Sequence, residues 1–327
     1  MQYRLHLSQE VLMFQGMEYV YEVYRERSFS RAAAKLYISQ PSLSANIKRV
    51  EKKVGYPLFD RSTKPLELTE CGKQYIRAVQ QIMTATTEFE TYINDFGDLR
   101  TGSLHFGGSN FFSSWVLPPM IAGFSAKYPD LQISLTEAKS RELVKLLQDS
   151  QIDFILDNKE LDLNTFDRHQ VGKEDLVLVV PKNFPINKEL KDFRISMESI
   201  RNGSFRNSDV PAVDLSLFKE EPFILLHSFN DTGNRARLIC QEYDFKPQIA
   251  LELDQQLTAY NVASSGLGIA FTGELLISRA TPDPNLVYYK LAGENTTRNI
   301  YFYWKKGRYL SKAMQVFLDT TVHKTHL

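Results

Sequence analysis

A multidomain chain, α-rich at its N-terminus and α/β over its last two thirds, is what three features of the sequence predict. Residues 28–61, SFSRAAAKLYISQPSLSANIKRVEKKVGYPLFDR, carry two short amphipathic helical patterns in close succession. Residues 75–96 repeat apolar side chains at alternating spacings of four and three, the period of one long helix with a seam. From Leu104 onward, strand-like runs alternate with helical stretches in two series, the pattern of βαβ units and mostly parallel sheets. A length of 327 residues calls for two or more cores, and 43% hydrophobic with 24% charged residues is the balance of an ordinary globular protein.

In chain order, residues 12–26 predict a helix with Met13, Met17, Val20 and Tyr24 on its inner stripe and Glu18, Glu22 and Glu26 on its outer edge. The next helix buries Phe29, Ala32, Ala33 and Leu36 and takes Ser28 or Ser30 as its N-cap. Tyr37 and Ile38 interrupt the pattern. Ser39 then caps a further helix, with Pro41 in a first turn where no N–H needs an intrahelical acceptor. Leu43, Ile47, Val50 and Val54 share one side of it, while Ser42, Ala45, Lys48, Arg49 and Lys52 point away. Gly55, Tyr56 and Pro57 form a stop signal. Beyond it Leu58 and Phe59 anchor a two-stranded hairpin, in which Leu66 and Leu68 alternate after a turn at 62–65 and Arg61, Thr63 and Lys64 sit at the tip.

The net charge of zero conceals a local surplus. Residues 1–73 hold 12 Lys and Arg against 8 Asp and Glu, and residues 40–65 alone hold 6 against 2, so the basic excess lies on the second helix and the hairpin. Small polar residues at a helix start let a backbone approach base edges in a major groove, and basic residues behind them meet phosphates. The candidate DNA-binding residues are therefore Ser39, Gln40, Pro41, Ser42, Ser44, Lys48, Arg49, Arg61, Thr63 and Lys64, the hairpin residues making backbone or minor-groove contacts. An amphipathic helix pair with a merely solvated basic face is the competing explanation. SFSRAAAKL, ISQPSLSANIKRVE, VGYPLFDR and LTECG, in this order and without a gap, decide against it, because the stretch resembles the winged helix-turn-helix of LysR-type transcriptional regulators. Ala45 stands where that family often has arginine and Val50 where leucine is common.

Thr69 caps the long helix, and Tyr75, Val79, Ile82, Thr86, Phe89, Ile93 and Phe96 form its seam, ended by Gly97 and Gly102. A helix projecting from a small domain cannot bury such a seam alone, so the same helix of a second subunit is the expected partner and a homodimer or homotetramer the expected state. The resulting plan is a winged helix-turn-helix DNA-binding domain at 1–73, a linker and dimerisation helix at 74–97, and an α/β effector-binding domain at 98–327.

In that domain the first series has strands at 104–107, 131–135 and 152–156 with helices at 114–127 and 141–148. The second has strands at 223–227, 248–253 and 268–271 with helices at 233–243 and 255–264. Residues 176–180 read as the connecting strand and 286–291 as the return, with 301–304 and a helix near 310–323 completing the first half. GSLHFGG, FSAKYPDLQISL, LVLVVP, EPFILL and SSGLGIA are similar to phrases of the LysR effector domain, which implies two periplasmic-binding-protein-like subdomains joined by two crossing strands. Residues 183–219 exceed the short connection usual there and predict a surface loop or a flap beside the ligand cleft.

Ligands of such folds bind outside the carboxyl ends of the strands, near helix N-termini. Ser109, Asn110, Lys139, Ser140, Asn230 and Thr232 fall there, with Phe111, Phe112 and Phe229 as walls, a set expected to bind a small effector, most simply a carboxylate or other anion. No G-x-S-x-G elbow, H-E-x-x-H or phosphate loop occurs and the six histidines are scattered, so no catalytic residue, metal site or cofactor is expected. Two cysteines, no apolar run of about 18 residues and no basic-then-apolar leader lead to the expectation of a cytoplasmic protein without membrane contact. The sequence thus predicts a regulator that binds a double-stranded inverted-repeat operator and senses a small molecule. The alternative is a small-molecule-binding or enzyme-like protein whose helix-turn-helix serves protein contacts only.

Overall fold

The structure is a computed structural model that describes residues 13–94 and 102–322, and it forms two compact units, Met1–Thr91 and Tyr92–Leu327. In the first unit α1 spans Met17–Glu26. It is shorter than the 12–26 expected, because Gly16 adopts a left-handed φ of 91° and breaks the path before it. The buried pair on α1 is Val20 and Val23, while Met13, expected on the inner stripe, is exposed. Helix α2 (Phe29–Lys35) is capped by Ser28 and buries Ala32 and Ala33, whose small side chains allow α1 and α3 to cross closely. Helix α3 (Gln40–Val54) is capped by Ser39, buries Leu43, Ile47 and Val50, and ends at Gly55 with φ 86°, a conformation glycine adopts without steric cost. Strands β1 (Phe59–Asp60) and β2 (Glu67–Leu68) pair as the wing.

Helix α4 (Glu70–Asn94) has Thr69 at its start, where Thr69 Oγ1 accepts from Gly72 N–H at 2.9 Å and donates to the Pro57 carbonyl at 2.7 Å. Its seam divides in two. Tyr75 and Val79, together with Ile76, belong to the core of the winged domain, whereas Phe89 and Ile93 are 63% and 50% exposed. Phe96 and Gly97 lie outside the described residues.

The second unit contains both series. Strands β3 (Ser103–Gly108), β4 (Gln132–Glu137) and β5 (Phe154–Asp157) are mutually parallel in the order β4-β3-β5. Between them lie a wide π-turn at Phe112–Val116 leading into α5 (Leu117–Ser125), and α6 (Ser140–Gln148), so the helix expected at 114–127 is two segments. The 16-residue β6 (Phe166–Pro181) links the halves: its first part pairs with β12 (Thr297–Lys305), and its second part with β10 (Ile269–Gly273) and β11 (Leu286–Lys290). Strands β8 (Pro222–Leu226) and β9 (Gln248–Leu253) continue the second sheet in parallel with β10. The sheets are therefore parallel at their centres, and β6, β11 and β12 add antiparallel edges and crossings. The strand expected as the return, 286–291, belongs wholly to the second sheet, and the chain crosses back only in the residues leading into β12.

Residues 183–219 are neither a flap nor a surface loop. They form short helical turns, α7 (Met197–Arg201) and β7 (Arg194–Ile195), which pairs with β11. Leu190, Ile195, Ile200, Phe205, Val213, Leu215 and Phe218 are all buried in the cores of this unit. Asn187 is buried as well, accepting from Tyr289 Oη at 2.7 Å and donating to the Pro181 carbonyl at 2.8 Å. Apolar burial of this extent, with satisfied polar groups, makes the segment part of the second half's core. Helices α8 (Asp231–Glu242), α9 (Gln256–Ser264), α10 (Glu274–Arg279) and α11 (Lys312–Val322) complete the layers.

Candidate nucleic-acid interface and ligand cleft

The first turn of α3 presents Ser39, Gln40, Pro41 and Ser42 to solvent, followed by Lys48 and Arg49, with Ser44 half-buried. Ser39 has a structural duty too, since its Oγ accepts from Ser42 N–H at 3.3 Å. Arg49 is held along the helix surface by Asn46, with Nη2 donating to Oδ1 at 2.6 Å. The preceding turn depends on Tyr37 in the left-handed region at φ 54°, its ring 96% exposed. The wing is more tightly built than the sequence suggested. Arg61, expected at its tip, turns back to Glu51 of α3 at 3.2 Å and lies 5.2 Å over the Phe29 ring. The other Glu51 oxygen accepts from Leu58 N–H at 2.9 Å, so one carboxylate fixes both the chain leaving α3 and the root of the wing. Thr63 Oγ1 donates to the Asp60 carbonyl and accepts from Glu67 N–H, both at 3.1 Å, which leaves Lys64 as the exposed cation of the turn.

In the second unit a cavity of about 40 Å³ opens between the two halves. Ser109, Phe111, Phe112, Ser140, Asn230 and Thr232, six of the nine candidate effector residues, line it, each at the carboxyl end of a strand or the start of the following helix. The other three expected residues do not. Asn110 Nδ2 donates to Glu137 Oε1 at 3.0 Å, and Phe229 is 61% exposed and stacks on His227. Lys139 reaches across the halves instead, its Nζ 2.9 Å from Asp254 Oδ2. Lining that the sequence reading missed comes from Asp157, Asn158, Asp231, Gln255 and Gln256. Asp157 had a visible signal, an acidic residue closing the buried strand FILD at the carboxyl end where such folds bind ligands.

A buried ion network backs the cleft. Arg298, on the crossing strand β12, is 2% exposed; its Nε donates to Glu174 Oε2 at 2.8 Å, and its Nη1 to Asp231 Oδ2 at 2.9 Å and Thr232 Oγ1 at 2.8 Å. Nη2 stands 2.6 Å from Glu174 Oε2. Burial opposes the charge on Arg298, but the carboxylates of Glu174 and Asp231 outweigh it and raise the guanidinium further. Arg235 adds a second guanidinium to Asp231 at 3.0 Å. Gln256 Nε2 donates to Thr232 Oγ1 at 2.5 Å, and its Oε1 accepts from Gly273 N–H. Asp157 is different. Burial pushes its carboxyl above the ordinary range, against the hydrogen bonds from Ser140 and Lys159, and Asp231 nearby pushes it the same way. The cavity wall carries two carboxylates, Asp157 and Asp231, and the Arg298 guanidinium behind it is already paired with Glu174 and Asp231.

Residues 14–73 match the family described as "Bacterial regulatory helix-turn-helix protein, lysR family", and residues 97–325 match "LysR substrate binding domain". The chain belongs to the LysR family. It is a LysR-type DNA-binding transcriptional regulator with a substrate-binding domain, and its relatives are regulators rather than enzymes. The HTH-type transcriptional regulator YcgK of Bacillus subtilis (strain 168) is 26% identical over 303 residues, 93% of this chain and 92% of that protein. A full-length OxyR variant of Pseudomonas aeruginosa has the same fold, with a TM-score of 0.69 at 17% identity over 94% of each chain. CbnR complexed with its target DNA aligns with a TM-score of 0.52 at 17% identity, over 94% of this chain and 98% of that one. LysR regulators bind DNA and effectors and form oligomers, and no helix among the described residues here is long and apolar enough to cross a membrane.

Proposed function

We propose that this LysR regulator acts in the cytoplasm as a homodimer or homotetramer that reads an inverted-repeat operator with paired copies of α3, and that a small molecule in the cleft changes how those copies are presented. The observation that carries the reading is the exposed first turn of α3, Ser39 to Ser42, with Lys48 and Arg49 behind it on a helix whose other face is fully used in the core. Gln40 and Ser42 are the base-edge readers, Pro41 and Ser44 let the backbone approach, and Lys48, Arg49 and the wing residue Lys64 meet phosphates. Thr63 and Arg61 set the shape of the wing. Exposed Phe89 and Ile93 on α4 give a second copy an apolar surface to cover.

Footprinting on the DNA upstream of the protein's own gene tests this. Protection of two half-sites whose centres lie one helical turn, about 34 Å, or a multiple of it apart is expected. Arg49→Ala should weaken binding and lower the slope of log affinity against log salt by about 0.9, the share of one phosphate contact. An unprotected inverted repeat, or an unchanged slope, would refute the assignment.

A further inference from the structure

We infer that the ligand of the inter-half cleft carries a protonated amine, which pairs with the carboxylate of Asp157. The inference rests on the reading of that cleft as the effector site. Among the described residues, four carboxylates have a buried oxygen without a hydrogen-bond partner: those of Glu22, Asp157, Glu174 and Glu274. Three of them are paired with a cation, Glu22 with Lys35, Glu174 with Arg298 and Glu274 with Arg206. Asp157 has no such pair. It is 3% exposed and forms part of the cavity wall; Lys159 N–H donates to its Oδ1 at 2.9 Å and Ser140 hydrogen-bonds the same carboxyl, while its Oδ2 has no hydrogen-bond partner.

The surroundings settle what would complete it. Asp157, Glu174 and Asp231 bring three carboxylates to the cleft and its backing, against the two guanidiniums of Arg298 and Arg235, and both guanidiniums are spent on Glu174 and Asp231. Asp157 is thus left without a cation, and once ionised it places a negative charge in a nearly water-free spot, where an isolated charge costs several kcal/mol and a matched one is strongly held. An ammonium supplies the missing charge and up to three N–H donors. Phe111 and Phe112 on the same wall do not compete for it, and aromatic rings attract cations. A cavity of about 40 Å³ holds a head group of a few atoms and not a drug-sized molecule, for which roughly 300 Å³ is needed.

The test uses the full-length protein, with thermal-shift and calorimetric titration of three sets of probes at millimolar concentration: α-amino acids, putrescine and ethanolamine, and the amine-free acetate, succinate and benzoate. At least one amine-bearing probe should bind the wild type, and Asp157→Asn should weaken it by at least 30-fold. The variant without ligand should melt at or above the wild-type temperature, because an unpaired buried charge has been removed; a purely structural role for Asp157 would instead lower it. Binding by the amine-free carboxylates only, binding of an amine undiminished in Asp157→Asn, or no binding by any probe would each overturn the inference. Gel shifts on the same samples keep the two readings apart. Loss of specific DNA binding with amine binding intact would fail the operator assignment, and the converse would fail this one alone.

Discussion

Replacing Arg298 by Met tests whether the crossing strands are held together by charge. The side chain is 1% exposed and is shared between Glu174, also 1% exposed, and Asp231, with Thr232 as a further acceptor. Methionine keeps most of the volume, so the loss is chiefly electrostatic: Glu174 is left buried without the cation that hydrogen-bonds it. Removing one partner of a buried pair costs about 3–5 kcal/mol. For a unit the size of Tyr92–Leu327, each kcal/mol lowers Tm by about 2–4 °C, so a fall of about 6–20 °C is expected by calorimetry, with the winged domain's own transition as an internal reference. Replacing the acid as well, Arg298→Met with Glu174→Gln, removes the orphaned charge and should recover at least about 2 kcal/mol. A loss below about 1 kcal/mol for the single variant, or strict additivity of the two substitutions, would show that charge does not hold the crossing strands together.

Phe205→Ala addresses the 183–219 segment: the ring is 2% exposed, so truncation should cost about 3–5 kcal/mol by urea denaturation, where a surface loop would change by about 0.5 or less. Gly233→Ala should destabilise by at least about 1–3 kcal/mol, because an added Cβ collides with the carbonyls of Leu226 and His227, which are backbone and cannot turn aside. Asp153 and Asp157 should respond to pH with opposite signs. Burial alone would raise Asp153, but the hydrogen bond of His105 and the charge of Arg308 hold it below its ordinary 3.8, so its contribution is full above pH 3.8 and lost as pH falls through the lower folded value. Asp157 is raised, so its ionisation costs stability as pH rises through its folded value. Urea midpoints should therefore show Asp153→Asn losing more at pH 7 than at pH 3, and Asp157→Asn gaining at pH 7 but not at pH 3.

The winged domain was legible because its signals are local. Ser28, Ser39 and Gly55 act within a turn of where they stand in the sequence, and Leu43, Ile47 and Val50 follow one helical period. The cleft was half legible: hydroxyl and amide residues after strands could be placed on its wall, but the ion pairs behind it could not. Arg298 and Glu174 meet across 124 positions of sequence, and nothing near either one announces the other. Arg61 was misplaced for a related reason, since its partner Glu51 belongs to the preceding helix. In the 183–219 segment the buried residues are spaced irregularly, from Leu190 to Phe218, so neither a helical nor a strand period marks them and only tertiary packing reveals the core they enter.

The pairing of β6 with β12 also orders events in time. Phe166 faces Lys305 and Asp175 faces Thr297, so the first half cannot close its sheet until the chain has been made through residue 305. The second half draws its sheet from strands between Leu176 and Lys290 and can assemble earlier, reversing the order in which the halves begin. At synthesis rates of about 5–20 residues per second, β5 waits roughly 7–30 s beside an unfilled sheet position. During that interval Phe154, Ile155 and Leu156, fully buried in the finished protein, have no β12 to cover them. The nascent first half thus carries apolar strand residues that only the last strand of the sheet covers, which makes it the half more exposed to misassembly during synthesis.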